Sequence, residues 1–96
     1  MSNIFEKIFK VIADRDKNPV AGSYTNTLLT KGFFQTAKKT GEEGVEVAMA
    51  AVAQDNERLI SEMADLWFHN LVLLYQKGLT PNDVFKELEK RHDKKN

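Results

Sequence analysis

Cysteine is missing from this chain of 96 residues. Without it, neither a disulfide framework nor a thiolate metal site can form, and the composition fits a protein of the cytosol. The two histidines are too few for a zinc site of the usual kind. If the protein binds a metal, the ligands are therefore expected to be oxygen atoms.

Charge of one sign and long apolar runs are also missing. Fourteen basic and fourteen acidic residues give a formal net charge of zero, so no overall field favours nucleic acid or an anionic lipid surface. No apolar run approaches the roughly 20 residues of a membrane span, and the N-terminus lacks the basic and apolar segments of a signal peptide. We predict a cytoplasmic protein that binds neither nucleic acid nor membranes.

Alternation of apolar and polar residues with a period of two is absent, so we expect no sheet. Apolar residues recur instead every three or four positions. This spacing predicts helices near residues 3–16, 24–31, 33–55, 57–77 and 81–92. Ser23 and Thr80 are the expected N-caps of two of these helices, and Gly32 and Gly78 are the expected ends of two.

The predicted fold is therefore all-α. Residues 1–96 are expected to form a single domain, a bundle of about four to five helices with a disordered tail at residues 93–96. A chain this short buries only about 60–65% of its unfolded surface, which makes an independent core marginal. We expect homodimerisation to complete the bundle.

Two acidic clusters lie on the third and fourth of these helices. The first contains Glu42, Glu43 and Glu46, and the second contains Glu62 and Asp65, followed by His69. Residues three or four apart share a helix face, so Glu43 points with Glu46, and Glu62 points with Asp65. If the helices pair antiparallel, these four carboxylates can converge. Like charges that close disfavour ionisation unless a cation neutralises them, and oxygen ligands favour Mg²⁺ or Mn²⁺.

A structural interpretation of each cluster stays open. Acidic residues spaced by three are common on a solvated helix face, and Lys38 and Lys39 stand at the right spacing to form ion pairs with Glu42 and Glu43. Thr40 and Glu43 also fit a capping box. However, both clusters run beside an apolar stripe, which places the carboxylates at the border of the buried surface.

Gly41 and Gly44 stand inside the third predicted helix. Each costs about 1 kcal/mol of helix stability relative to alanine, so both require a reason. One explanation is close helix packing, where no side chain fits. The other is access of a bulky anionic ligand to the backbone. A new helix start at Thr40 is a weaker alternative, because it would interrupt the apolar stripe.

A carboxylate cage that holds Mg²⁺ suits phosphoryl chemistry, since the metal neutralises phosphate oxygens and orients water. Lys31, Lys38 and Lys39 are candidates for holding a polyphosphate, and His69 could bind a carboxylate or the substrate. A histidine that is hydrogen-bonded within an interface is the alternative. The sequence has no Gly-x-x-x-x-Gly-Lys-Ser/Thr loop, which excludes a P-loop enzyme.

Five motifs occur in an order that resembles a known family. They are Ser23-Tyr24-Thr25, Lys31-Gly32, Lys38-Lys39-Thr40-Gly41-Glu42-Glu43-x-x-Glu46, Glu62-x-x-Asp65-Leu66-x-x-His69 and Glu87-Leu88-x-x-Arg91-His92. Together they resemble the phosphoribosyl-ATP pyrophosphatases of histidine biosynthesis, within the all-α MazG-type nucleotide pyrophosphohydrolases. Glu-Glu-x-x-Glu with a later Glu-x-x-Asp is the signature of the whole superfamily. The Ser-Tyr-Thr and Lys-x-Gly-Glu-Glu segments indicate the phosphoribosyl-ATP branch.

The resemblance implies a homodimer that hydrolyses the α–β phosphate bond of 1-(5-phosphoribosyl)-ATP with Mg²⁺, or with Mn²⁺ as a possible substitute. The products would be phosphoribosyl-AMP and pyrophosphate, in the second step of histidine biosynthesis. By carry-over, the metal ligands are Glu43, Glu46, Glu62 and Asp65. Glu42 would be a further ligand or the base that activates water. The substrate-binding residues would be Lys31, Lys38, Lys39 and His69.

Two other functions compete with this hypothesis. A MazG-type enzyme could use the same metal cage to hydrolyse non-standard nucleoside triphosphates, and substrate profiling would separate the two enzymes. A non-catalytic helical dimerisation module would instead show no metal dependence. Two acidic clusters and two helix glycines at the same height along the helices lower the stability of the fold. A module without a function for them would gain nothing in return, which disfavours this alternative.

Overall fold

Five helices make up the fold, and no strand occurs in the part of the chain that the structure describes. A computed structural model describes residues 3–95. The helices are α1 (Ile4–Lys17), α2 (Tyr24–Lys31), α3 (Phe33–Ala53), α4 (Asn56–Gln76) and α5 (Pro81–Lys95). The all-α prediction is confirmed. None of the helices among residues 3–95 is both long and apolar enough to cross a membrane.

Side chains outside the helices determine where several of them begin. The side chain of Ser23 accepts a hydrogen bond from the backbone N–H of Asn26, at 3.3 Å, and Asp55 accepts one from Arg58, at 2.8 Å. Such N-caps satisfy backbone donors that have no partner within the helix. The prediction of Ser23 as a cap is confirmed. Asp55 also acts as a cap, and α4 begins at Asn56, one residue before the predicted start.

The end of α4 is a Schellman motif. Gly78 has a φ of 74°, the left-handed conformation that favours glycine. Its N–H donates to the carbonyl oxygen of Tyr75, at 3.1 Å, and the N–H of Leu79 donates to that of Leu74, at 2.9 Å. The predicted helix end at Gly78 is therefore confirmed, with the last helical residue two positions earlier.

The core is small and lies between α1, α2 and α4. Ile12, Leu28, Leu71 and Val72 form its buried cluster, and Phe5, Ile8 and Tyr75 are among the residues packed around it. α3 pairs with α4 along its length as a helical hairpin. This hairpin carries both acidic clusters, so the packing of α4 on the core determines where the clusters stand.

Two expectations about helix boundaries are corrected. The expected disordered tail is wrong for residues 93–95, since α5 continues through Lys95; Asn96 lies outside the described residues. No glycine or proline follows Leu88, and cationic residues suit the last turn of a helix. The capping box at Thr40 does not form, because the Thr40 hydroxyl donates to the carbonyl oxygen of Thr36 at 3.0 Å, inside an uninterrupted α3.

Candidate active site

Three carboxylates converge where α3 faces α4. Glu43, Glu62 and Asp65 each present an oxygen atom, and these atoms all lie within 4.8 Å of one another. Glu62 is 5% exposed, whereas Asp65 stands open to solvent. A group of three such oxygens, with open space on one side, could hold a divalent cation together with water or phosphate oxygens.

Glu46 belongs to the same cluster. Its carboxyl group lies within hydrogen-bonding reach of Glu62 and also of Glu43. Two carboxyl groups form a hydrogen bond only if one of them carries a proton. The contact with Glu46, followed by burial, raises the pKa of Glu62, whereas the same contact lowers the pKa of Glu46. When one proton is bound to the pair, these opposite directions favour Glu62 as the group that carries it.

Glu43 shows most directly that the negative charge of the cluster is not fully balanced. Burial raises the pKa of its carboxyl group, and the negative charges of Glu46 and Asp65 raise it further. Its Oε2 atom is buried and has no hydrogen-bond partner. A buried polar oxygen without a partner is costly. A cation bound by the cluster would satisfy this atom, so the residues present fit a hard divalent ion.

Two cationic side chains flank the cluster. Lys39 on α3 lies 3.7 Å from Glu42, measured from Nζ to Oε1, and its charge opposes the rise in the pKa of Glu43. Arg58 on α4 lies 3.7 Å from Oε1 of Glu62. Arg58 did not emerge from sequence reasoning. Its position four residues before Glu62 was the available signal, because that spacing puts both residues on one helix face.

The other two lysines that the sequence suggested stand apart from these carboxylates. Lys31 ends α2 and lines a shallow pocket with the loop at residues 20–23. Lys38 is exposed on α3. Within residues 3–95, no ion pair joins either lysine to the acidic cluster. Their contact with a substrate stays a prediction, and Lys39 is the one lysine of the three that the structure places beside the carboxylates.

His69 lies one turn beyond Asp65 and is 5% exposed. Its Nδ1 is 2.7 Å from the carbonyl oxygen of Asp65, and its Nε2 is 2.8 Å from the hydroxyl of Tyr24. A carbonyl oxygen only accepts, so Nδ1 donates to it, and in the neutral imidazole the Tyr24 hydroxyl donates to Nε2. Both ring nitrogens are thus engaged, and His69 connects α4 to α2 beside the cluster. Contact with substrate stays a prediction.

The sequence also matches a family model along most of its length. The model, described as phosphoribosyl-ATP pyrophosphohydrolase, matches residues 5–92. The chain belongs to the phosphoribosyl-ATP pyrophosphohydrolase family. The matched region contains the acidic cluster and both flanking cations.

Curated relatives carry the corresponding name. A protein of Saccharolobus islandicus named phosphoribosyl-ATP pyrophosphatase is 49% identical over 92 residues, which are 95% of this chain and 98% of the relative. Proteins with the same name from Saccharolobus solfataricus and Clostridium botulinum are 47% identical over 92 residues and 43% identical over 93. These alignments cover 95% and 97% of this chain, and 98% and 84% of the respective relatives.

The two helix glycines of this member of the pyrophosphohydrolase family face open space. A Cβ atom built on Gly41 or on Gly44 would meet no other atom within 4 Å. Close packing inside the described part of the chain therefore does not explain them. The remaining explanation from the sequence, access of a ligand to the backbone, stays a prediction. Packing of a second subunit against the glycines would require the same open space.

Proposed function

We propose that the protein hydrolyses the α–β phosphate bond of 1-(5-phosphoribosyl)-ATP to phosphoribosyl-AMP and pyrophosphate, in the second step of histidine biosynthesis. The names of its relatives support this substrate. The observation that carries the chemistry is the convergence of Glu43, Glu62 and Asp65 within 4.8 Å, with Glu46 adjoining. Such oxygen-rich sites serve phosphoryl transfer by holding a divalent metal.

We assign Mg²⁺, with Mn²⁺ as a possible substitute, to Glu43, Glu46, Glu62 and Asp65. When bound, the ion neutralises charge on the phosphate oxygens. Its binding requires Glu46 and Glu62 both to be deprotonated, since a metal ligand must be deprotonated, and the raised pKa of Glu62 opposes this step in the absence of the ion. The unpartnered Oε2 of Glu43 then gains a partner.

The remaining residues of the cluster act on water and on the substrate. Glu42 is exposed on α3, where it is a further metal ligand or the base that takes a proton from the attacking water. Lys39 is close enough to the carboxylates to hold a phosphate oxygen near them. Lys31 and Lys38 would hold more distant phosphates. His69 orients Tyr24 and would reach the substrate only by releasing one of its two hydrogen bonds.

The first test is pyrophosphate release from phosphoribosyl-ATP, with Mg²⁺ and after its removal by a chelator. Glu46→Gln should lower the rate by roughly 100-fold or more, because even hydrogen-bond partners of metal ligands are typically worth 10- to 100-fold. Glu57→Gln is the matched control, since Glu57 is an exposed residue in the first turn of α4. Its activity should match the wild type.

Two results would contradict the proposal. Release that persists without a divalent metal, or that Glu46→Gln leaves unchanged, would remove the cluster from the reaction. Faster hydrolysis of non-standard nucleoside triphosphates than of phosphoribosyl-ATP would retain the metal chemistry and replace the substrate.

We further propose that the working form is a homodimer. The accessible surface of the chain is 6996 Å², whereas a compact monomer of this mass exposes about 5,600 Å². The radius of gyration is 14.8 Å, against about 12.5 Å for a compact chain of this length. The excess surface, roughly 1,400 Å², exceeds the roughly 800 Å² that each partner contributes to a standard interface.

Exposed apolar side chains support association in the same way. Val45, Val52 and Ile60 are 60%, 86% and 69% exposed on the α3–α4 hairpin. Such a concentration of exposed apolar residues is unusual for a monomer. Light scattering on a sizing column should give twice the chain mass of 10.9 kDa. A single-chain mass at micromolar concentration would contradict the dimer.

A further inference from the structure

We propose that Arg58 is a phosphate-binding residue of this site. In the absence of ligands Arg58 forms an ion pair with Glu62, and a metal and a polyphosphate replace that contact when they bind. The inference deepens the proposed function and rests on it. It assigns to Arg58 the recognition of a polyphosphate, the part of the substrate that carries most of its negative charge. Arg58 lies outside the carboxylate cage and would act beside the metal.

The contact between Arg58 and Glu62 is an attraction between charges that lacks a tight hydrogen bond. The guanidinium nitrogen is 3.7 Å from Oε1 of Glu62, beyond hydrogen-bonding distance. The side chain of Arg58 is 58% exposed, whereas that of Glu62 is 6% exposed. A guanidinium carries five N–H donors in a planar fork. Within residues 3–95 none of these donors forms a hydrogen bond, so they are available to a ligand that approaches from outside.

The charges of the cluster favour a change of partner, in which the guanidinium of Arg58 leaves Glu62 and binds phosphate. Five carboxylates stand against the two cations Lys39 and Arg58. Once a divalent ion binds Glu62, the carboxylate is neutralised and its attraction for the guanidinium weakens. A polyphosphate that arrives with the metal then offers Arg58 a stronger, bidentate partner.

The two cations also lie at opposite ends of the cluster. Glu43 interacts with Asp65, and Glu46, one turn later on α3, interacts with Glu62, so α3 and α4 run antiparallel. Lys39 therefore stands beyond Glu43 at one end, and Arg58 stands beyond Glu62 at the other. A polyphosphate bound at the cluster between these two residues would meet a positive charge on each side.

An ordinary surface ion pair is the alternative, since Arg58 and Glu62 have the i,i+4 spacing of many such pairs. The two interpretations predict different effects of removing the charge. If Arg58 only stabilises α4, its loss should leave ligand affinities unchanged, or weaken all of them together if the helix is disturbed. If Arg58 pairs with Glu62 only in the absence of ligands and binds phosphate in their presence, removal of its charge should strengthen metal binding and weaken polyphosphate binding.

The test uses calorimetry on the full chain with Mn²⁺ alone, and then with inorganic pyrophosphate at saturating Mn²⁺. Arg58→Gln should bind Mn²⁺ roughly three- to tenfold more tightly, because a positive charge within several ångströms of the ion is removed. It should bind pyrophosphate roughly ten- to hundredfold more weakly, because hydrogen bonds to charged groups are lost. Neither readout depends on catalytic activity.

Two further variants serve as controls. Arg58→Lys keeps the charge and loses the planar fork, so its Mn²⁺ affinity should stay near the wild-type value while pyrophosphate binding falls. Arg15→Gln removes the same charge from a surface pair with Asp14 on α1 and should change neither affinity. Substitution of Arg58 keeps the N-cap of α4, because Asp55 accepts from the backbone N–H of that residue.

Unchanged pyrophosphate affinity in Arg58→Gln, in a protein that binds Mn²⁺, would overturn this inference and leave the proposed function intact. Weaker binding of both Mn²⁺ and pyrophosphate would assign Arg58 a structural role and would also overturn the inference. Failure of the wild type to bind Mn²⁺ at all would overturn the proposed metal site itself, and the inference with it. The opposite changes in the two affinities are the result that supports the assignment.

Discussion

Substitution of Gly41 by alanine should stabilise the metal-free protein. Gly41 lies inside α3, and a Cβ atom there would meet nothing within 4 Å, so the new methyl group creates no clash. Alanine is favoured over glycine in a helix interior by about 1 kcal/mol. For a domain of this size, that gain corresponds to a rise of about 4–8 °C in the midpoint of thermal unfolding.

The assay is thermal unfolding followed by circular dichroism, in chelator and at one protein concentration. Gly22→Ala is the control. Gly22 also has open space around its Cβ position, but its φ of 83° strains an alanine. The control should lower the midpoint even though it makes no contact. Opposite shifts of the midpoint in the two variants would show that backbone conformation, and not available space, decides whether alanine stabilises or destabilises the protein.

A lower midpoint for Gly41→Ala would refute this reasoning, because it would mean that another surface packs against the glycine in solution. In the proposed dimer that surface would belong to the second subunit. A higher midpoint together with a fall in kcat/KM would instead support the prediction that Gly41 leaves room for the substrate at the backbone. Gly44→Ala, tested in parallel, examines the next turn of the same helix.

Two further predictions concern the core and the carboxyl groups with raised pKa values. Leu28→Ala should cost about 2–5 kcal/mol in urea unfolding, because Leu28 is 1% exposed and its removal leaves a cavity. In chelator, the unfolding midpoint should fall as the pH rises above the ordinary carboxyl pKa of 4.5, because the raised pKa values of Glu62 and Glu43 give stability that is lost as each group ionises. Glu62→Gln should reduce this fall, and a midpoint independent of pH would contradict the raised pKa values of Glu62 and Glu43.

Helix identity and helix caps could be predicted from sequence because they depend on neighbours within about four residues. Ser23 caps α2 through the N–H of Asn26, and Gly78 ends α4 through bonds to residues a few positions earlier. The same holds for the acidic faces, since i,i+3 spacing determines which carboxylates point together. The antiparallel pairing of α3 with α4 then brought the two faces into one cluster.

Contacts between distant parts of the chain could not be predicted. The hydrogen bond between Tyr24 and His69 joins residues 45 positions apart. It depends on how α2 sits against α4, and a local pattern cannot specify that arrangement. The open space around Gly41 also depends on the tertiary structure. The position of Arg58 was accessible in principle, but an i,i+4 pair in a sequence does not reveal that its carboxylate is buried.

A chain with no net charge can still concentrate charge locally, and this protein does so on one helical hairpin. Glu62 is buried while Glu46 and Glu43 lie beside it, an arrangement that opposes folding at neutral pH. The cluster therefore cannot be the source of the fold's stability, which must come from the packing of Ile12, Leu28 and Val72, about two turns further along α4. A carboxylate arrangement that weakens the empty protein is the one expected if its stabilising partner is a ligand, because any cation that binds only the folded cluster shifts the folding equilibrium towards it.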